Sequence, residues 1–355
     1  MNKNLKFKYY LKPGLSYKNS TMKTSSFLII LMLISSLSFF SSCKTKNPKI
    51  GILIHSYEND RWTKDKDYLV ENLAKEGAEV MLEVADNNQQ KQIEQAKVMI
   101  ESGAQVLIVV PINQDEAAKI VDLAHDANVK VIAYDRLING CRLDYYITAN
   151  STHIGELQAA YLTSLKPKGK YALICGSKYD NNSMKLFLGQ MNVLQPFMEK
   201  GDIHLIYSEF TEDWSPAEGA LHTNRLLEQN TDSITAIITG SDAIADGVLS
   251  VLKERGLEGK IMIAAQDSEL DNVKAIMSGA QTCDILKPLK EMAATTAKLA
   301  VSLALEKPLK MKFTRESNGN ALVKSILIDA IVVNKNNIES TVIASGFHSA
   351  ADLNK

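Results

Sequence analysis

The sequence predicts an α/β protein built as two doubly wound parallel-sheet domains. Three observations carry that expectation. Short apolar runs alternate with amphipathic segments, the scheme starts afresh in the second half, and charged or amide residues recur just after the apolar runs. A chain of 355 residues, 45% hydrophobic and 23% charged, is long enough to bury two such cores.

The first residues differ in kind from the rest. Up to Ser42 the chain carries six lysines and no acidic residue, then an apolar run from Phe27 to Phe40. Fourteen residues are too few to span a bilayer comfortably and fit the apolar region of a signal peptide. Phe40-Ser41-Ser42-Cys43 looks like a bacterial lipobox, in which Cys43 would be lipidated and become the mature N-terminus. Residues 1–43 are thus expected to be signal and lipobox, and 44–48 a polar tether; Met22-Lys23 would also make a conventional signal start.

From there the elements follow in order. Strand-like runs at 52–54, 80–84, 106–110 and 131–134 alternate with helical segments near 62–76, 89–102 and 114–127, and a fifth strand is expected at 145–149. Such runs, apolar throughout, suit strands covered on both faces. The second half, joined near Asn150, gives strands at 171–175, 203–207, 234–239, 261–265 and 282–286. Its helical segments lie near 183–200, 216–229, 242–256 and 269–278. A long helical segment, 289–305, follows, and late strand-like runs at 326–333 can return to either half.

The strand ends hold the chemistry. Ligands of open α/β sheets bind at the carboxyl ends of strands. There the sequence places His55, Arg61, Trp62 and Lys64 after the first strand and Asp135-Arg136 after the fourth. Later ends carry Asn182, Trp214, Ser241-Asp242, Gln266-Asp267 and Lys287. The two tryptophans fall one in each half. Apolar ring faces beside charged hydrogen-bonding groups suit a small polyhydroxylated ligand, because sugar C–H faces pack on aromatics and charged groups make strong bonds to hydroxyls. Singly, each residue has an ordinary explanation: Trp62 could anchor its helix, Asp242 could be an N-cap and Lys64 a solvated helix face. Their shared edge favours a ligand cleft.

The strings RWTKD (61–65), AYDRLIN (133–139), GELQA (155–159), DNN (180–182), GQM (189–191), VLQPF (193–197), QD (266–267), KP (287–288) and VNKNNI (333–338) make the chain resemble the type I periplasmic sugar-binding proteins, and among them the D-xylose-binding proteins of bacterial ABC importers. The resemblance implies two Rossmann-like domains, 49–150 with 288–325 and 151–287 with 326–355, joined by a three-crossing hinge. It also implies a pentose held between them. Trp62 and Trp214 would pack on the sugar, while Arg61, Lys64, Asp135, Arg136, Asn182, Asp267 and Lys287 would bond its hydroxyls and ring oxygen. Ser241 departs from that family's pattern, where an Asn precedes Asp242; the shorter side chain offers a single hydroxyl. The implied partner is an ABC permease, or alternatively a membrane histidine kinase or chemoreceptor that reads the bound sugar.

Other classes fare worse. HSYENDRW after the first strand lacks the G-x-G-x-x-G of a dinucleotide cofactor site, so neither cofactor nor enzyme is expected, and no metal-ligand spacing is present. A sugar-responsive repressor would carry a helix-turn-helix where this chain has its export signal. Without residues 1–42 the chain has 34 basic and 41 acidic residues, a formal net charge of −7, which argues against nucleic acid. The other cysteines, Cys141, Cys175 and Cys283, are expected as buried thiols; Cys141 and Cys175 pair only if the fold brings them together. The expected protein is a monomer in the periplasm or cell envelope, tied to a membrane through its lipid alone. Cys43→Ser is therefore expected to move the protein from the membrane to the soluble fraction. Unchanged partitioning on fractionation would count against lipidation.

Overall fold

The computed structural model describes residues 47–57, 60–230 and 233–355. The expected signal segment, its lipobox with Cys43 and the start of the tether lie outside the described residues. In chain order the first half runs β1 (Lys49–Ile54), α1 (Asp60–Lys75), β2 (Glu79–Val84), α2 (Gln89–Glu101), β3 (Val106–Val109), α3 (Ala118–Asp126), β4 (Lys130–Tyr134) and β5 (Tyr145–Ala149). The second runs α4 (Ser151–Leu165), β6 (Gly169–Ser177), α5 (Asn181–Glu199), β7 (Ile203–Thr211), α6 (Pro216–Gln229), β8 (Ala236–Thr239), α7 (Asp242–Glu254), β9 (Met262–Ala264), α8 (Leu270–Ser278) and β10 (Cys283–Leu286). The chain closes with α9 (Leu289–Ala304), β11 (Thr314–Ser317), β12 (Leu322–Ile328) and β13 (Ile331–Asn334), then a π-helical turn, Glu339–Ile343, and a short helix, Ala350–Leu353.

Two sheets result, ordered β11-β12-β5-β4-β3-β1-β2 and β13-β10-β9-β8-β6-β7. All pairs are parallel except those of β11 with β12 and β13 with β10. The order follows from burial. β3, β4 and β5 are buried between helical layers, while the edge strand β2 is partly exposed and carries Glu79 and Glu83. One face of the first sheet packs on α1 and α9 through Leu69, Leu73, Met292 and Ala297, the other on α2 and α3 through Met99, Ile120 and Val121. The second sheet repeats this with α6 and α7 on one face and α4 and α5 on the other.

The chain passes between the sheets three times: at Asn150 between β5 and α4, at Lys287-Pro288 between β10 and α9, and at Asp329-Ala330 between β12 and β13. The late apolar run at 326–333 is therefore divided. Ile326, Leu327 and Ile328 pair with β5 in the first sheet instead of joining the second, and only Ile331 onward pairs with β10.

Helix α4 does not show in the sequence pattern, for a physical reason. Its single buried stripe carries Ser151, Gly155, Gln158 and Thr163 among the apolar residues, which blurs an amphipathic period. Gln158 Nε2 donates to Thr239 O at 3.1 Å and its Oε1 accepts from Gln190 at 2.9 Å, so the buried amide is satisfied. Gly155 and Gly189 let the α4 and α5 backbones touch. A Cβ on Gly189 would stand 1.9 Å from Thr152 O, and one on Gly155 2.1 Å from Leu186 O.

The three cysteines among the described residues are buried and free, Cys141 in a core of the first domain and Cys175 and Cys283 in one of the second. Burial pushes the Cys141 thiol up to about 11 and that of Cys175 up to about 12, so neither is reactive at neutral pH. The α4–α5 contact gives a direct test of the fold. Gly189→Ala is expected to cost about 1–3 kcal/mol, the range for overpacking, read as a lowered urea midpoint. An unchanged midpoint would mean that the helices are farther apart than described.

Candidate functional site

A small cavity lies where the carboxyl ends of the two sheets meet. The first domain supplies Arg61, Trp62, Asp135 and Arg136; the second supplies Asp180, Asn182, Trp214, Ser241, Gln266 and Asp267; Lys287 comes from a crossing.

Local structure explains each placement. Arg61 and Trp62 lie in the first turn of α1, the helix that follows β1. Asp180 and Ser241 are the N-caps of α5 and α7, accepting from Asn182 N at 2.9 Å and Ile244 N at 3.3 Å, so the cap that starts a helix after its strand also lines the cavity. The expected cap at Asp242 thus falls one residue earlier. Asp135 and Asp267 follow β4 and β9 with φ of +62° and +106°, a region that non-glycine residues seldom enter. The Asp135 conformation is fixed through its carbonyl, which accepts from Tyr146 OH at 3.0 Å, Thr148 Oγ1 at 2.8 Å and Asn182 Nδ2 at 2.9 Å.

The charges form a buried network around Arg61 and a second pair beside it. Arg61 donates to Asp65 Oδ2 at 3.1 Å, to Asp267 Oδ1 at 3.1 Å and closely to Asp135 Oδ1. Lys287 Nζ lies 3.1 Å from Asp267 Oδ1 and 3.9 Å from Asp135 Oδ1, while Arg136 Nε pairs with Asp180 Oδ2 at 3.1 Å. Burial alone would raise the Asp135 carboxyl, but the charges of Arg61 and Lys287 outweigh it and bring it down to about 2. Behind it, burial raises Asp65 to about 6 despite Arg61, and Tyr134 OH donates to its Oδ1 at 2.5 Å. Three cations and three carboxylates line the cavity, so its wall carries no net charge when all are ionised.

The aromatic groups complete it. The Arg61 guanidinium stands 4.3 Å over the Trp62 ring and that of Arg136 stands 5.4 Å away, while His55 meets Trp62 edge-on at 4.4 Å. Burial, then Arg136 and Arg61, lower His55 well below the usual histidine range and keep it neutral. Trp214 seats on Gly176, where a Cβ would come within 2.0 Å of the ring. Two buried polar atoms on the second-domain wall, Trp214 Nε1 and Gln266 Oε1, meet no partner among the described residues.

Of the residues singled out by sequence, Lys64 is not brought to the cavity. It turns to His348 Nδ1 at 3.4 Å and lies 4.4 Å over the Phe347 ring, contacts with the C-terminal segment that no strand-end reading foresees. Asp180 and Gln266 are lining residues that the candidate set omits, although each adjoins a member of it. Among the described residues no cluster of His, Cys, Asp or Glu could hold a metal ion.

Residues 50–308 match the periplasmic binding protein domain family. The chain belongs to the periplasmic binding proteins. It is 36% identical over 326 residues to the D-xylose-binding periplasmic protein of Escherichia coli strain K12, covering 92% of this chain and 98% of that one. The multiple sugar-binding periplasmic receptor ChvE of Rhizobium radiobacter is 31% identical, covering 86% and 92%. A carbohydrate transporter solute-binding protein from Chloroflexus aurantiacus, solved with D-glucose, superimposes with a TM-score of 0.80 at 25% identity over 87% of this chain and 98% of that one. Members of this family bind solutes rather than transform them, and this periplasmic binding protein is not an enzyme.

The depressed Asp135 carboxyl sets an acid limit. Its folded value of about 2 lies below the ordinary 3.8, so its contribution to stability is complete above about pH 4 and is lost as pH falls through about 2. Asp135→Asn is expected to cost about 1.5–3 kcal/mol near neutral pH, the worth of a hydrogen bond to a charged group, and to flatten that acid loss. Urea unfolding near neutral pH and at about pH 3 checks both; parallel pH profiles for parent and variant would reject the assignment.

Proposed function

We propose that this protein is an extracytoplasmic receptor that captures a neutral monosaccharide, D-xylose or a related aldopentose, in the cavity between its domains and delivers it to an ABC permease. The observation that carries this reading is the charge balance of the wall. Each cation is already paired with a carboxylate, so a charged ligand would find no counter-charge left over, while the fixed charges remain strong partners for hydroxyls. The unpartnered donor Trp214 Nε1 and acceptor Gln266 Oε1 call for a ligand that both accepts and donates, as hydroxyl groups do. Trp62 and Trp214 offer apolar surface to the ring's C–H groups.

The names of the relatives support the sugar class. The Escherichia coli protein is D-xylose-binding and the Rhizobium radiobacter receptor is multiple sugar-binding. Ser241 bears on the choice among aldoses, because its Oγ already accepts one bond as the α7 cap and has its O–H and one lone pair left to offer a ligand. Capture couples to closure because Arg61, Asp135 and Arg136 stand on one domain and Asn182, Trp214 and Asp267 on the other, so a sugar touching both sets favours the closed arrangement. Lipidation of Cys43 would hold the receptor at the membrane beside its permease.

Titration calorimetry with D-xylose, L-arabinose, D-ribose, D-glucose and D-xylonate tests the reading. The neutral pentoses are expected to bind with D-xylose tightest, and the acid not at all. A thermal shift supports the measurement, since a ligand at 100 times its dissociation constant adds about 2.7 kcal/mol. Absence of binding by every aldose, or preference for the sugar acid, would overturn it.

A further inference from the structure

Asp267 reaches the cavity from a turn that is strained twice, with φ of +106° at Asp267 and +53° at Ser268. Such strain persists only where surrounding groups over-determine it. Here the groups are two carboxyls outside the cavity. Asp284, on β10, accepts on Oδ1 from the Ser268 amide at 3.0 Å and the Ser268 hydroxyl at 3.1 Å, and on Oδ2 from Gln281 Nε2 at 2.9 Å. Asp242, the first residue of α7, accepts on Oδ2 from the Glu269 amide at 2.7 Å. Consecutive amides of the turn are thus each held by a buried carboxyl. Asp242 Oδ1 is buried and meets no donor among the described residues.

We propose that Asp242 and Asp284 share one proton, carried on Asp242 Oδ1 and directed at Asp284, and that the pair is the positioning element that holds Asp267 toward the ligand. This rests on the cavity being the sugar site. The assignment follows from donor counting. Both side chains are fully buried and hold consecutive amides of one turn, and buried carboxylates so close cannot both ionise. Asp284 has three donors and keeps its charge; Asp242 has one donor and an oxygen to spare, and keeps the proton. In agreement, burial first and then Asp284 raise Asp242 well above the usual carboxylate range, and the Asp242 hydrogen bond opposes the burial that raises Asp284.

The other titratable and charged groups around the pair are few. The turn brings Asp267 and Glu269, α7 brings Asp246, α8 brings Asp271 and β10 brings Cys283. Beyond Asp267 lie Arg61 and Lys287, and from the C-terminal segment His348 Nε2 donates to Ser268 O at 2.7 Å, with Lys64 behind it. The nearest groups are acids, which favour retention of the proton. Because Asp242 holds its proton more tightly folded than unfolded, its contribution is complete below about pH 3.9 and is lost as pH rises toward its folded value.

The test has two arms. Without sugar, the thermal midpoint of the whole protein is followed from about pH 5 to 9; the parent is expected to lose stability as pH rises, and Asp242→Asn, which places an N–H where the proton sits, to lose less. With D-xylose, Asp242→Ala is expected to weaken binding about tenfold, ~1.4 kcal/mol, with Asp242→Asn restoring most of it. Asp284→Asn sets an NH₂ against donors from Ser268 or Gln281 and is expected not to be tolerated in this way. Parallel pH profiles for parent and Asp242→Asn would remove the shared proton. Full affinity in Asp242→Ala, or rescue at Asp284 instead of Asp242, would remove the positioning role. A parent that binds no aldose would defeat the sugar assignment alone, since the arm without sugar still decides the proton.

Discussion

The contact between the two domains depends on the Arg61 guanidinium. A buried charge is tolerated only when paired and hydrogen-bonded, and Arg61 finds Asp65 and Asp135 within its own domain but Asp267 across the cleft. Its backbone amide also donates to Glu269 Oε1 at 3.0 Å. Neutralisation of the first domain's deepest charge is therefore completed by the second domain. Further links cross with it: Asn181 Nδ2 to Asn139 Oδ1 at 2.6 Å, and Lys185 Nζ to Glu316 Oε2 at 2.7 Å. These outer contacts are more exposed and weaker; the central one sets the cost of separation.

The two acceptors of Arg61 share a backbone problem and meet it by different means. Asp135 and Asp267 both sit at positive φ, which turns each carboxylate back from its strand into the cavity. Asp135 is secured by neutral donors converging on its carbonyl from Tyr146, Thr148 and Asn182, one of them from the facing domain. Asp267 is secured through the amides that follow it, by carboxyls of its own domain. The first arrangement draws on both domains, through Asn182, whereas the second draws on its own domain alone.

Strand ends were legible because the signal is local. Asp135-Arg136 breaks an apolar run, and the two tryptophans stand out by rarity. Lys64 was not legible, since its partners His348 and Phe347 lie nearly 300 residues away and arrive through the C-terminal segment. Asp180 and Gln266 were legible as neighbours of candidate residues but not as lining groups, because which of two adjacent polar residues faces a cavity depends on cap geometry and strand pleat. Helix α4 was hidden by Gly155 and Gln158, residues that serve close packing and buried hydrogen bonding rather than amphipathicity. The division of 326–333 between sheets could not be read from its apolar character, which suits either core equally.

On the proposed reading, affinity and selectivity reside on different walls. The charged groups that the first domain brings are already satisfied, Arg61 by Asp65 and Asp135 beside it and Arg136 by Asp180 across the cavity, so they present a rigid field that does little to distinguish one hydroxylated ring from the next. Among the residues that line the cavity, the unmet hydrogen-bonding capacity lies on the second domain, at Trp214 Nε1 and Gln266 Oε1, and a buried group left unpaired penalises any ligand that fails to meet it. Gln266 is pinned by its other end, Nε2 donating to Gly240 O at 2.7 Å, so its free oxygen cannot turn away to find another donor. Discrimination among sugars therefore follows from where a hydroxyl stands relative to that oxygen, with Arg61 and its carboxylates setting the strength with which any such sugar is held.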